Sequence, residues 1–483
     1  MNPAWRTRAG AIGAPLTFAI LWVADLGLEP KAHHLAAVFG AILVLWLSEA
    51  IPIAASALLI APLLVVTDIC APAEAFKHYA DPLLFLFIGG FFIAEAMTVH
   101  GLDRRIAKAI LTMRSVDGRP GRTRVALTVV GFLLSMWISN TGATAILVPI
   151  LLRLHRAPAR GEKSSTIPAA EAGGLLALAY SCSIGGLGTL VGSPPNLITL
   201  RNLNEGERAF GFLEWTMVGL PTALALFGLI YLVTSRMFRA PQTENQTALS
   251  PEDLFPDVPE RWTRGEITTA VSFGLAVVGW LLPGAAQALD LEITPTLKAL
   301  LPSGVVAIVA SSILFAVPDG AGKRVLSWEQ AARIDWGVIL LFGGGIALGT
   351  QLVETGLAAA LSHGFVSLSG IESLWPLVAF ACVFTIFFTE ICSNTASATM
   401  LVPLVIAIAV ELGVSPVPPA LAVGLAASCA FMLPIATGPN AIVYSTGRVT
   451  QGQMIRAGLW LNVLGSVVVF VMLRVLCPAY GWT

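Results

Sequence analysis

Ser139-Asn140-Thr141, between the apolar runs 125–138 and 143–152, and Ser393-Asn394-Thr395, between 377–392 and 398–410, decide how this chain folds. The tripeptides stand 254 residues apart, and both run on into Leu-Val-Pro, as Leu147-Val148-Pro149 and Leu401-Val402-Pro403. Each apolar arm has roughly 12–17 residues, short of the ~20 that cross a hydrocarbon core. Two short apolar arms joined by a polar tip predict a re-entrant helical hairpin. Two such hairpins in matching positions of two halves point to the binding site of a secondary transporter.

The rest of the chain supports a membrane setting. Of 483 residues, 56% are hydrophobic and 12% charged, against about 25% charged in soluble domains. A net charge of −1, with the basic residues scattered over loops, excludes a nucleic-acid partner. The six cysteines (70, 182, 382, 392, 429 and 477) show no CxxC spacing and read as small packing residues. No metal-ligand spacing occurs among the histidines. The start of the chain, with Arg6 and Arg8 before an apolar run, reads as a first transmembrane helix rather than a cleaved signal.

Apolar spans fall near 11–28, 35–48, 51–69 and 82–100, followed by a basic amphipathic stretch, 101–124, and the first hairpin, about 125–153. An interrupted span, 170–200, and a helix, 211–234, complete the first half, and a polar linker, 236–264, ends it. The second half has spans near 265–283, 298–316 and 335–355, an amphipathic stretch, 356–370, and the second hairpin, 373–411. A second interrupted span, 419–446, and a last helix, 457–476, follow. The expected fold is an all-α polytopic membrane protein with eleven transmembrane helices, two re-entrant hairpins and two broken helices.

Charge orients it. With a cytoplasmic N-terminus and an outer C-terminus, 22 of the 28 Lys and Arg residues lie in inner segments and 6 in outer ones, the sense of the positive-inside rule. Arg122, Arg124, Arg153 and Arg156 bracket the first hairpin, so it enters from the cytoplasm. No Lys or Arg occurs between Arg333 and Arg448, so the second enters from outside. Similar motifs of opposite orientation make an inverted repeat. Leu86-Phe87-Ile88-Gly89-Gly90 matches Leu341-Phe342-Gly343-Gly344-Gly345 at an offset of 255. The stretch from Ser181-Cys182 to Pro195-Asn196 echoes Ser428-Cys429 to Pro439-Asn440, with a three-residue difference in length.

The breaks have a definite chemistry. A hairpin tip frees the carbonyls ending one half-helix and the amides starting the next; the carbonyl end suits a small hard cation and the amide end an anion. Ser, Asn and Thr cap such ends without placing fixed charge in the membrane. Gly192-Ser193-Pro194-Pro195-Asn196 and Ala436-Thr437-Gly438-Pro439-Asn440 repeat the device, proline removing helix donors. Each offers a hydroxyl (Ser193, Thr437) and a carboxamide (Asn196, Asn440). A small dianion accompanied by sodium fits four such breaks. Of the acids in apolar surroundings, Glu49, Glu95, Glu354 and Glu390, the first three read as interfacial or packing residues. Glu390, four residues before Asn394, stays open as a proton carrier.

The paired Ser-Asn-Thr motifs resemble those of the divalent anion/sodium symporter family, over essentially the whole chain. Ser428-Cys429-Ala430-Phe431-Met432-Leu433-Pro434-Ile435-Ala436, continuing through Asn440-Ala441-Ile442-Val443, is similar to that family's sodium:sulfate symporter signature. The resemblance implies a homodimer in the lipid bilayer of the plasma (inner) membrane that is not an enzyme and works by an elevator movement. It implies scaffold parts at 1–124 and 265–370, each ending in an interfacial arm, and transport parts at 125–235 and 371–483, with the linker 236–264 cytoplasmic. It places one sodium site at Ser135, Ser139, Asn140 and Gly192, and a second at Thr389, Ser393, Asn394 and Ala436. Substrate is expected at Asn140, Thr141, Ser193, Pro194, Asn394, Thr395 and Thr437. The expected activity is sodium-coupled import of C4-dicarboxylates such as succinate, malate or fumarate. Sulfate or tricarboxylate symport, and sodium-independent dicarboxylate exchange, are the alternatives. Two departures stand out: Gly438 replaces the first proline of the pair kept at Pro194-Pro195, and Gly142 stands where alanine is frequent.

Overall fold

The computed structural model describes residues 3–114, 116, 120–155, 169–204, 210–238, 254–255 and 257–483. Most of the linker 236–264 and of the basic loop after Arg153 lie outside the described residues. Among the described residues the protein is helical, with one isolated bridge between Pro318 and Arg324.

Nineteen of its helices carry the architecture. The first half holds α1 (Pro3–Val23), α2 (Pro30–Ser48), α3 (Ile53–Val66), α4 (Leu84–His100) and α5 (Leu102–Leu111). It continues with α6 (Pro120–Ser135), α7 (Asn140–His155), α8 (Ala169–Gly185), α9 (Pro194–Leu203) and α10 (Phe212–Met237). The second half holds α11 (Arg264–Ala288), α12 (Ser303–Ala316), α13 (Trp336–Glu354), α14 (Leu357–Ser369) and α15 (Leu374–Phe388). It ends with α16 (Asn394–Glu411), α17 (Val417–Ala426), α18 (Gly438–Ser445) and α19 (Gln451–Ala479). Helices α2–α10 recur in order as α11–α19, so each element has its counterpart nine places on.

Local chemistry sets the boundaries. Gly101 and Gly356 both adopt left-handed backbone, at φ 71° and 79°, between a long apolar helix and the helix that follows it. Only a residue without a Cβ takes that conformation cheaply. Thr263 and Glu266 form a reciprocal cap at the start of α11. Arg105 of α5 reaches that same glutamate at 2.6 Å, fastening the first amphipathic stretch to the second half.

The helices pack as two groups. In one, α3 lies on α13 and α4 on α12, with α2, α11 and α1 alongside. A Cβ on Gly89 would stand 2.5 Å from the Ala307 carbonyl carbon, and one on Gly344 would stand 2.5 Å from the Ala57 carbonyl oxygen. These equivalent glycines let the backbones meet, as small residues do in membrane helix pairs. In the other group α8 packs on α6, α7 and α10, while α17 packs on α15, α16 and α19; α10 and α19 join the halves. Helix α9 crosses to α16 and α17, and α18 crosses to α7 and α8, so each half-helix leans on the hairpin of the other repeat.

Among the described residues seven helices are long and apolar enough to cross a membrane alone, and up to nine spans result if each of two bent pairs is counted as one. The pair Leu357–Ser369 and Leu374–Phe388 bends by 97°. Both hairpins turn at their polar tips, between Ser135 and Asn140 and between Phe388 and Asn394.

Gly344→Val drives a branched side chain into the Ala57 carbonyl. Overpacking of this kind costs about 1–3 kcal/mol, so the expected outcome is a lower unfolding temperature for the detergent-solubilised variant, read by intrinsic fluorescence. An unchanged melting curve would show that α3 and α13 are not held this closely.

Candidate functional site

At the first tip Ser139 Oγ accepts from Gly142 N at 3.0 Å, and at the second Ser393 Oγ accepts from Ala396 N at 3.2 Å. Both serines therefore cap the helix that starts there, each with one lone pair of its hydroxyl left over. The asparagines behind them point inward. Asn140 Nδ2 donates to Ser183 O at 3.3 Å, while Asn140 Oδ1 is buried with no hydrogen-bond partner among the described residues, as is Ser135 Oγ.

The break after α8 closes on Asn140 Oδ1 and on the backbone carbonyl of Ser135. A Cβ on Gly186 would lie 2.8 Å from both Asn140 Oδ1 and Gly192 O. A Cβ on Gly192 would lie 2.6 Å from Gly186 O and 2.9 Å from Ser135 O. Ser135, Asn140 and Gly192, three of the four residues expected at sodium site 1, thus converge on a cradle of neutral oxygens, joined by Gly186. Two missing Cβ atoms make that cradle possible, and side-chain and carbonyl oxygens without fixed charge suit a hard monovalent cation.

The second tip is built alike but tied differently. Thr389 Oγ1 lies 2.8 Å from Asn394 Oδ1 and 2.9 Å from Ala427 O. Ala427 occupies the place that Ser183 has in the first half. Ala436, expected here, is buried just before the break at Thr437.

The broken spans owe their shape to two carboxamides. Asn196 Nδ2 donates to Gly186 O and Thr189 O, each at 2.7 Å. Asn440 Nδ2 donates to Ala430 O and Leu433 O, each at 3.1 Å. In both halves the bonded carbonyls lie ten and seven residues upstream, so the repeat register here is 244 throughout. This corrects the alignment of Ser181-Cys182 with Ser428-Cys429: the true partners of Ser183 and Gly186 are Ala427 and Ala430, with no difference in length. The two Ser-Cys pairs are a coincidence of small residues; Ser428 Oγ instead meets Ser193 Oγ at 3.1 Å.

Four helix N-termini meet this region. Helices α7 and α16 start at the tips, α9 follows Ser193, and α18 follows Thr437, whose hydroxyl accepts from Asn440 N. Thr141 stands against the bare Cα of Gly438, closer than any Cβ would allow. The departure from Pro-Pro thus makes room for the Thr141 side chain. Pro194 opens α9, and α9 lies against α16, which carries Thr395 near its start. A separate cavity of about 480 Å³, lined by Arg124, Thr128, Ser181, Tyr231 and Thr234 among others, sits lower on α6. Thr128 is about 10 Å short of Ser135 at 1.5 Å per residue, so this space is not part of the tip.

Glu390 is not placed as a proton carrier. Its Oε1 accepts from Phe431 N at 2.7 Å, Met432 N at 2.8 Å and Asn462 Nδ2 at 2.8 Å, and its Oε2 accepts from Leu433 N at 3.0 Å. Four donors hold the carboxyl group in place, and none of these partners is an acceptor to which it could pass a proton. Its counterpart, Met136, offers only its carbonyl, to the Thr189 hydroxyl. Glu49 sits in an exposed pair with Arg6, and Glu354 accepts from Gln351.

Known proteins agree with this architecture. A family model described as citrate transporter matches residues 43–400. An uncharacterized transporter of Haemophilus influenzae is 35% identical over 466 residues, covering 95% of this chain and 94% of its own. The sodium-dependent dicarboxylate transporter SdcS of Staphylococcus saprophyticus is 34% identical over 486 residues, covering 97% and 91%; that of Staphylococcus aureus is 32% identical. Among solved structures, the YdaH transporter of Alcanivorax borkumensis superposes with a TM-score of 0.59 over 84% of this chain and 87% of its own, at 16% identity. MtrF of Neisseria gonorrhoeae gives 0.53 over 86% and 85%, at 12% identity, so both speak to the fold alone. The protein is an integral membrane transporter rather than an enzyme, and it belongs to the divalent anion/sodium symporter family.

Glu390→Gln turns one acceptor oxygen into a donor facing N–H groups. Leaving buried donors unpaired costs about 1–3 kcal/mol, so the expected result is a lower melting temperature with the pH profile of uptake retained. A flattened pH profile at unchanged stability would restore Glu390 as a proton carrier.

Proposed function

We propose that the protein is a sodium-coupled secondary active symporter importing C4-dicarboxylates such as succinate, malate or fumarate. The observation that supports this best is the cradle formed by Ser135, Asn140, Gly186 and Gly192, with its partly matching counterpart at Thr389, Asn394 and Ala427. Each holds neutral oxygens suited to sodium, beside helix starts whose amides suit a carboxylate. Asn140, Thr141, Ser193, Pro194, Asn394, Thr395 and Thr437 then surround the dianion, one carboxylate to each hairpin. Ser139 and Ser393 hold the tips through their hydroxyl oxygens, whose remaining lone pair completes the sodium set at each tip.

In this reading the protein is a homodimer in the inner membrane with eleven crossings, N-terminus inside and C-terminus outside. Parts 1–124 and 265–370 are the scaffold, and 125–235 and 371–483 move across the bilayer as an elevator. The relatives named sodium-dependent dicarboxylate transporters favour sodium and a dicarboxylate. The citrate transporter model favours a second reading, tricarboxylate transport by the same machine. Two sodium ions neutralise a dianion. A third makes each cycle carry one net charge, worth about 2.3 kcal/mol at 100 mV.

Uptake of labelled succinate into proteoliposomes tests the proposal. Uptake is expected with an inward sodium gradient and not with lithium or potassium; equal uptake in all three ends the coupling claim. Unlabelled citrate and sulfate are expected to compete weakly. Asn140→Ala and Asn394→Ala are each expected to lower sodium-driven uptake by at least about tenfold, the factor that 1.4 kcal/mol represents, with a raised half-saturating sodium concentration. Full transport by the double variant would move the site elsewhere.

A further inference from the structure

The two repeats are alike in sequence yet sit in different surroundings. Gly90 in α4 and Gly345 in α13 are equivalent, and both face the second helix group. A Cβ on Gly90 would lie 3.4 Å from Val191, in the break after α8; one on Gly345 would run into Thr399 of α16. The residues equivalent to those two contacts are left open. Ile435, the counterpart of Val191, is 68% exposed, while Val191 is 9% exposed. Thr399 and Pro403 are buried along α13, with Pro403 3.5 Å from the Cβ position of Gly349. Their counterparts on α7, Ala145 and Pro149, are exposed.

The charged residues follow the same pattern. Arg201, in the last turn of α9, donates through Nε to Asp81 Oδ2 at 2.6 Å, where the side chains are 20% and 10% exposed. Asp81 precedes α4 and also holds Leu83 N. Within a residue of the equivalent place before α13 stands Asp335, which accepts from Val338 N and has no ion pair among the described residues. Beyond the end of α18 stands Arg448, held at 3.5 Å by Glu171 of its own helix group and 45% exposed. One half thus has its glycine seat at the break filled and its bridge between groups closed; in the other Ile435 stands off its glycine, Asp335 has no ion pair among the described residues, and Arg448, three residues past Ser445 at the place of Arg201, is paired within its own group.

We propose that Arg201–Asp81 and Arg448–Asp335 are alternating latches of the transport cycle, each closed in one of its two end states. In the state seen here the first is closed. In the other state the roles of the halves are exchanged: Val191 leaves Gly90, Ile435 seats against Gly345, and Ala145 and Pro149 pack along α4. Arg201 then parts from Asp81, and Arg448 leaves Glu171 for Asp335. Leaving the state seen here gives up Arg201–Asp81 and Arg448–Glu171 for Arg448–Asp335, while the packing contacts are exchanged for others of the same kind. Sodium and substrate decide between the two states by differential binding. This rests on the reading that one helix group moves against the other, as proposed above.

Cysteine labelling of the purified full-length protein in lipid nanodiscs tests the latches. The variant carries Ile435→Cys, with its native cysteines replaced, and the probe is a maleimide. Asp81→Asn is expected to slow labelling at 435 severalfold, because opening the first latch moves the population to the state in which 435 is covered. Asp335→Asn is expected to leave labelling as fast or make it faster. Equal effects, or effects of the opposite sign, overturn the proposal, and monodisperse elution separates either from misfolding. Independently, Asp335→Cys with Arg448→Cys is expected to form a disulfide under mild oxidant and to stop succinate uptake until reduced. No disulfide in a variant that still transports also overturns it. Labelling needs no substrate, so failure of sodium-driven uptake would count against the proposed function alone.

Discussion

The structure depends on a carboxamide spanning a gap in a helix. Where α8 and α17 stop, the chain runs for several residues without helical partners before α9 and α18 begin, and exposed backbone of that kind is not tolerated in hydrocarbon. Asn196 and Asn440 answer this by donating both amide hydrogens back to carbonyls ten and seven residues upstream. The loop is thereby closed on itself, and the carbonyls left over are free to face the hairpin tips. The Ser-Asn-Thr tips and glycine cradles are useful only because these loops have a fixed shape.

Around that constraint the halves diverge in how the tip is joined to the loop. The first uses a hydroxyl, Thr189, on the Met136 carbonyl; the second uses the Glu390 carboxylate on three consecutive amides and Asn462. The first cradle is closed by two glycines, and its counterpart by Thr389, Asn394 and Ala427. Pseudo-symmetry therefore gives two oxygen-lined cradles of the same kind but differently tied, with an acidic side chain beside the second only.

The hairpins and the duplication were legible because Ser-Asn-Thr is costly inside an apolar run and stands out against it. The matched segments 86–90 and 341–345 were legible, although the left-handed backbone of Gly101 and Gly356 that ends their helices was not. The carbonyls of Gly186 and Ala427 were beyond reach, since a backbone oxygen leaves no mark in residue type. The small residues around Ser181 and Ser428 misled for a related reason: packing in membrane helices fills both halves with Ser, Cys, Gly and Ala, and register must be fixed by the asparagines that bond across it. Glu390 was visible as an anomaly, but its donors are backbone amides, which no motif announces. Arg201 and Asp81 lie 120 residues apart in unlike segments, and their pairing belongs to a spatial arrangement rather than to a local pattern.

Every group that satisfies Glu390 lies after it in the chain, at 431–433 and at 462. During synthesis the second hairpin therefore carries an acid without donors until residues 431–433 are made, and without its fourth donor until α19 emerges, and an unpaired acid at that depth is costly. The C-terminal helix thus supplies the last donor to the acid at the second tip, and a chain truncated before it leaves Glu390 with backbone partners alone.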